Sequence, residues 1–191
     1  FFCQITYIKK IIIALSGPPG SGTSTVSKVL ARRLKLEYFS PGFYYRKIMK
    51  QRRVEKAPEF WKTKFGSSKE LHEHVDQVQL EEARKGNIVV EGTLSIHFLK
   101  NLASHKVWLD VPLQVRAQRT AKREKISYQQ ALKEVEERQT MERKGWKKIY
   151  GFDYFDQKKE ADLVVDASSL TVNQVANKII NFIKTKQAFN P

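Results

Sequence analysis

The chain has 191 residues, with 35 Lys/Arg against 20 Asp/Glu and a formal net charge of +15. At 41% hydrophobic and 29% charged residues it is no disordered polymer, and its length suits one α/β domain, residues 1–191, with a buried core. No apolar run approaches the ~20 residues a membrane-spanning helix needs, and the single cysteine, Cys3, excludes an intrachain disulfide or multi-cysteine metal site and favours a reducing cytoplasm.

The start, Phe1 to Ile8, is apolar but has no charged region before it and no small-residue cleavage site, and Lys9-Lys10 interrupts it. A frayed extension or first strand is expected rather than a signal peptide. The missing initiator Met suggests that the sequence is incomplete at this end.

Residues 10–16 read as a buried β-branched strand, and Val26, Val29, Leu30 and Leu34 mark a helix face over about 23–35. Between them lies Gly17-Pro18-Pro19-Gly20-Ser21-Gly22-Thr23-Ser24-Thr25. Strand, glycine loop and helix form the context of a phosphate-binding loop, in which glycines let backbone N–H groups turn inward and the helix N-terminus adds partial positive charge. The pattern G-x-x-x-x-G-K-[ST] is kept except that Thr23 stands at the lysine position. A dinucleotide fingerprint fails, because its third glycine would fall at Thr25. Ser24 reads as a Mg2+ ligand.

Strands are expected at 36–40, 88–92, 106–110 and 163–166. Pro41-Gly42 turns the second strand into a helix near 43–53, and residues 54–66 read as an irregular or short helical insert. Ser67-x-x-Glu70 is read as a capping box for a helix running to Lys85, stopped by Gly86-Asn87. A short helix is expected at 95–101, Pro112 at the first position of the next helix, and Ser127-x-x-Gln130 capping another, followed by a loop with Gly145, Tyr150-Gly151 and Asp153. Thr171-x-x-Gln174 caps the closing helix. The alternation predicts a five-stranded parallel sheet with helices on both faces, and an order of segments like that of the P-loop nucleoside monophosphate kinases. In that arrangement about 40–86 would be an acceptor-binding helical insertion and about 116–150 a lid.

The candidate polar residues fall after the carboxyl ends of the strands, where ligands of open α/β sheets bind. Ser40, Gly42 and Arg46 follow the second strand; Arg46 would grip an acceptor phosphate. Glu91-Gly92 ends the third, with Glu91 placed to hold Mg2+ through water or to orient a hydroxyl or base. Asp110 and Asp166 read as structural. Arg116, Arg119 and Arg123, spaced 3 and 4, share a helix face, and Arg138 and Arg143 follow on the next helix and its end. These guanidiniums suit a lid over a triphosphate, or else surface ion pairs with nearby glutamates. Tyr38, Phe39, Phe43, Tyr44 and Tyr45 suit base stacking or core packing alike. His72, His74, His97 and His105 have no metal-ligand spacing, and no Ser-His-Asp or Cys-His nucleophile set is present.

Residues 43–69 hold nine Lys/Arg and two Asp/Glu, and 112–150 hold eleven and five, so the two segments carry +7 and +6 of the +15. Solvated helix faces, basic arms closing over polyanionic substrates, and a nucleic-acid surface all fit; no nucleic-acid motif accompanies the third.

Several of these motifs together resemble the archaeal-type cytidylate kinases over nearly the whole chain. They are Gly17-Pro18-Pro19-Gly20-Ser21-Gly22, Ser40-x-Gly42 with Arg46, and Lys85-Gly86-Asn87-Ile88-Val89-Val90-Glu91-Gly92. Pro112-Leu113-x-Val115-Arg116-Ala117-x-Arg119, Ala121-Lys122-Arg123-Glu124-x-x-Ser127-Tyr128-x-x-Ala131-Leu132 and Lys148-Ile149-Tyr150-Gly151-x-Asp153 complete the set. The resemblance implies Mg2+- and ATP-dependent phosphorylation of CMP or dCMP in the cytoplasm. It implies that the loop binds ATP phosphates, that Arg46 lies by the acceptor phosphate, and that the arginine-rich helices form the lid. Three positions depart from the family's pattern: Thr23 for the loop lysine, Phe43 where an aspartate usually follows Ser-x-Gly, and Thr93 where Glu-Gly-Arg supplies an arginine.

The expected function is therefore a nucleoside monophosphate kinase. Gly17–Thr25 would cradle ATP, and Ser40, Gly42, Arg46, Glu91 and Gly92 would form the acceptor side. Arg119, Arg123 and Arg138 would stabilise the transferring charge, with Arg119 or Arg123 replacing the loop lysine. The rival readings are a weakly active or non-catalytic P-loop protein that binds nucleotide or nucleic acid, and a kinase of another small acceptor.

Overall fold

The computed structural model describes residues 10–53 and 57–188; the stretch Phe1–Ile8 and the first three residues of the 54–66 insert lie outside the described residues. In chain order the elements are β1 (Ile12–Ser16), α1 (Thr23–Leu34), β2 (Glu37–Phe39), α2 (Pro41–Gln51), α3 (Ala57–Lys62), α4 (Lys69–Arg84), β3 (Ile88–Glu91) and α5 (Ser95–Phe98). They continue with β4 (His105–Asp110), α6 (Leu113–Glu124), α7 (Tyr128–Tyr150), a 3-10 turn at Tyr154–Asp156, α8 (Gln157–Glu160), β5 (Leu163–Asp166) and α9 (Val172–Ala188).

All strands are parallel, in the order β2-β3-β1-β4-β5. The central strand is buried on both sides, which is why it reads as an unbroken apolar run. Its alternate residues feed two cores. Ile13 and Leu15 pack with Val26 and Leu30 of α1 and Ile179 and Ile183 of α9. Ile12 and Ala14 pack on the other face with Ala83, Ile96, Trp108 and Trp146. Full burial of each large apolar side chain is worth about 1.5–3 kcal/mol, so these two layers hold the sheet. Met49, Phe60, Leu71 and Val75 make a third cluster that binds α2, α3 and α4 into a projecting arm.

The helix starts follow local capping chemistry, with one shift. Ser68, not Ser67, caps α4, its Oγ accepting from the Leu71 amide, while the Ser67 hydroxyl donates to the Thr63 carbonyl. The preceding turn, held by Thr63, moves the start by one residue. Pro112 is the cap of α6 rather than its first helical residue. Ser127 caps α7 as expected, and Thr171 and Gln174 exchange bonds in a reciprocal box, with Thr171 Oγ1 accepting from the Gln174 amide and Gln174 Oε1 from the Thr171 amide.

The predicted loop at Gly145 is instead the interior of α7, a helix of 23 residues. Glycine is required there by packing, since a Cβ would lie 2.6 Å from Trp61 Cζ3. The Trp61 ring of α3 fills the space a side chain would need, and this contact overrides glycine's poor helix propensity.

Candidate active site

The register sets the C-terminal ends of β1 and β3 side by side, with Leu15 opposite Glu91. A cleft of about 580 Å³ opens over this edge. It is lined by the glycine loop, by Gly42, Arg46, Glu91 and Gly92, and by Trp61, Asp76, Gln79 and Trp146, with Gln79 one hydroxyl, that of Ser95, away from Gly92.

Gly22 caps α1 with φ 95° and no side-chain cap, a left-handed conformation that costs a non-glycine residue energy. No acidic residue occupies the first turn. The amides of Gly20, Gly22, Thr23 and Ser24 have no protein acceptor among the described residues. They form an anion cradle at a helix N-terminus, with main-chain donors in place of a lysine. Thr23 lines the same wall. Ser21 lies buried behind it.

Glu91 joins the loop to the second-strand side. Its Oε1 accepts from Ser24 Oγ at 2.8 Å, Tyr38 OH at 2.9 Å and Ser40 Oγ at 2.7 Å. Burial, reinforced by the Glu91 charge, pushes the Tyr38 hydroxyl up to about 12, so it stays a donor. Ser40 also caps α2, accepting from the Phe43 amide. Phe43 projects into solvent, with the Arg46 guanidinium 5.9 Å from its ring. Its main-chain N–H serves the cap, but its side chain supplies no charge to the acceptor side. Thr93 lines the cleft while its carbonyl accepts from Gln157.

The predicted lid arginines separate into three groups. Arg123 and Arg138 line the cleft, paired with Glu124 and Glu142 at 2.8 and 2.7 Å. Arg119 instead donates to the carbonyls of Ser21, Ala167 and Ser168, at the back of the loop. Arg116 is buried behind it and donates to Val111, Pro19 and Gln139. Arg143 pairs with Asp153 and caps the Phe155 ring. Helical spacing puts arginines on one face, but the carbonyls that the inward-turned amides leave facing outward claim two of them. Asp110 pairs with Lys158 and Asp166 binds Ser168, in keeping with structural roles.

Asp76, Gln79 and Trp146 are not among the residues expected from the sequence, whereas Glu142 is one of the glutamates expected to pair with an arginine and does so with Arg138. One signal was available: His72, Asp76, Gln79 and Ala83 recur at helical spacing on the buried face of α4, and three of them are polar. His72 serves packing, as expected for a histidine without metal spacing. Its Nε2 faces the Gly66 carbonyl at 3.0 Å and so carries the proton, leaving Nδ1 to accept from Tyr45 OH at 2.5 Å. Burial lowers its pKa to about 4, so the ring stays neutral.

The donor set tests the Mg2+ expectation. No group of three or more His, Cys, Asp or Glu residues capable of holding a metal occurs among the described residues. Ser24 Oγ beside the Glu91 carboxylate offers hard oxygen at one edge, which fits an ion held mainly by phosphates and water.

A parallel sheet of this order, with a glycine loop after its first strand and helical arms over its carboxyl edge, defines the P-loop small-molecule kinase fold. Solved structures agree. Shikimate kinase from Acinetobacter baumannii matches with TM-score 0.61 and 19% identity over 93% of this chain and 94% of that one. Shikimate kinase from Bacteroides thetaiotaomicron matches with TM-score 0.59 and 17% identity over 91% and 98%. The model of the cytidylate kinase-like family matches residues 12–169, and the chain belongs to that family. Cytidylate kinase of Methanocaldococcus jannaschii is 37% identical over 91% of this chain and 97% of the relative. That of Pyrococcus horikoshii is 38% identical over 83% and 81%.

Proposed function

We propose that the protein transfers the γ-phosphoryl group of ATP to CMP or dCMP. The observation that carries this reading is one cleft lined by the amide cradle, by Arg46, and by an aromatic, polar group of side chains from α3, α4 and α7. It suits two nucleotides placed end to end, and the chain's relatives bear the name cytidylate kinase.

Phosphoryl transfer needs positioning and charge neutralisation more than covalent chemistry. The amides of Gly20, Gly22, Thr23 and Ser24 hold the donor phosphates. Pro18, Pro19 and Gly17 shape the approach, and Thr25 lies in the first turn of α1 behind. Arg116 and Arg119 fix the loop by its carbonyls. Arg123 and Arg138 reach the cleft from the lid, and Arg123 supplies the charge that Thr23 does not. Its partner Glu124 is an exposed, weakly held one, which leaves the guanidinium free to turn inward. Arg46 holds the acceptor phosphate in line, with Ser40, Gly42, Glu91 and Gly92 forming the floor. Ser24, with Glu91 beside it, would hold Mg2+ on the donor phosphates, where the ion would supply charge neutralisation. The acceptor is already an anion, so no general base is required.

The work of such an enzyme belongs in the cytoplasm. No helix among the described residues is long and apolar enough to cross a membrane. Purified protein incubated with ATP, Mg2+ and a panel of nucleoside monophosphates tests the reading by product analysis. CDP or dCDP formation is expected, and no diphosphate from any acceptor overturns it.

A further inference from the structure

Two polar side chains in the cleft have no role in holding a phosphate. Asp76 and Gln79 stand three residues apart on α4 and therefore on one face. Both line the cleft with Trp61 and Trp146, Gln79 on the side of Gly92 and Asp76 one helical turn away toward Tyr150. The Ser95 hydroxyl donates to Gln79 Oε1 at 2.6 Å, which leaves the Nε2 amide without an acceptor among the described residues. The Tyr150 hydroxyl donates to Asp76 Oδ2, which leaves Oδ1 without a donor among them. The other polar group on this face, His72, has both ring nitrogens engaged.

The recess therefore offers one carboxylate lone pair and one amide N–H, about a helical turn apart. Trp61, stacked on His72 at 4.6 Å and edge-on to Trp146 at 4.6 Å, gives it flat apolar walls. A half-partnered carboxylate in such a place is costly until a donor arrives. Its burial shows in its acidity, since desolvation pushes Asp76 up to about 7 against the opposing bond from Tyr150.

We propose that Asp76 and Gln79 read the hydrogen-bonding edge of the acceptor base, the carboxylate accepting from an exocyclic amine and the amide donating to the adjacent ring nitrogen. This rests on the nucleoside monophosphate kinase reading. Cytosine presents the amine at position 4 and an acceptor at N3. Uracil presents a carbonyl and an N–H at the same places, so it sets acceptor against acceptor and donor against donor. Two mismatched bonds in a water-poor site discriminate by about ten- to a hundredfold. The aromatic walls add stacking, which tolerates either base.

The test is kcat/KM for CMP and UMP, with ATP and Mg2+, in the wild type, Asp76→Asn, Gln79→Glu and the double variant. The wild type should prefer CMP. Each single substitution should cut the CMP-to-UMP ratio by about tenfold or more. The double variant, whose amide and carboxylate are exchanged, should reverse it. A ratio unchanged from wild type in the folded variants overturns the base assignment alone. A wild type that phosphorylates no nucleoside monophosphate overturns the kinase reading beneath it. Should the substituted chains fail to fold, wild-type protein still decides. CMP lacking its 4-amino group should bind about tenfold more weakly than CMP, and equal affinity overturns the proposal.

Discussion

At the glycine-loop end of the cleft, the groups offered to a phosphate are mostly main-chain N–H; at the α2–α4 end they are side chains. The first end is local. Nine consecutive residues, Gly17 to Thr25, and one helix start build it. The second is assembled from α2, α3, α4 and α7, with Arg46, Trp61, Asp76, Gln79 and Trp146 drawn from distant segments. A main-chain cradle tolerates the loss of one side chain, because its donors are fixed by φ and ψ. A side-chain recess changes chemistry with a single substitution. The difference is in keeping with Thr23 at the loop's lysine position and with the proposal that the side chains of α4 read the acceptor base.

The largest effect should come from removing charge over the cradle. Arg123→Ala should lower kcat by a hundredfold or more, about the scale of an arginine that stabilises the transferring phosphoryl group. Thr23→Lys should change it little. Turnover near wild type in the alanine variant would remove Arg123 as the substitute for the lysine. Next is Arg46→Ala. Losing a charge-assisted grip on the acceptor phosphate should raise the acceptor KM by about ten- to a hundredfold and leave the ATP KM nearly unchanged. An equal rise in both would break the division of the cleft into two ends.

A third test uses pH, since the acceptor end carries the perturbed titrating groups. His72, depressed to about 4, binds fewer protons folded than unfolded, so its contribution to stability is full above its ordinary 6.5 and is lost as pH falls from there toward 4. Asp76, raised to about 7, binds more protons folded than unfolded, and so opposes that loss over the same range. Glu73 on its own helix, Tyr45 from α2, and Glu142 and Tyr150 from α7 are the charged or titratable neighbours around the pair. Urea titrations should show Asp76→Asn losing more stability than wild type between pH 7 and 5, by about 1–2 kcal/mol. Equal slopes would show that Asp76 is not buried at the recess.

The smallest expected effect concerns α4, the helix that carries both proposed base contacts. Ser68→Ala should cost about 1 kcal/mol and Ser67→Ala almost nothing, measured by thermal unfolding. The reverse order would return the cap to Ser67 and shift the start of α4.

Much of this was legible in the residues because it is local. β1, the glycine loop and α1 are adjacent in sequence, and apolar periodicity and glycine chemistry fix them together. The other four strands also read correctly within a few residues: β3 and β4 are largely buried apolar runs, and the edge strands β2 and β5 are short and aromatic or β-branched. The shift of the α4 cap and the unbroken α7 were not legible, because Thr63 and Trp61 decide them from other segments. The arginines show the limit most clearly. Their spacing alone puts Arg116, Arg119 and Arg123 on one face, yet the first two are bound to loop carbonyls and only the third lines the cleft.

The sequence by itself determined the fold class and the phosphate cradle, because strand periodicity and glycine conformations are properties of neighbouring residues. The tertiary structure alone decided which side chains face the acceptor, because that face exists only once α2, α4 and α7 pack together. Asp76 and Gln79 are ordinary polar residues of a helix until Tyr150 and Ser95 take half of their bonding capacity and the cleft receives the rest.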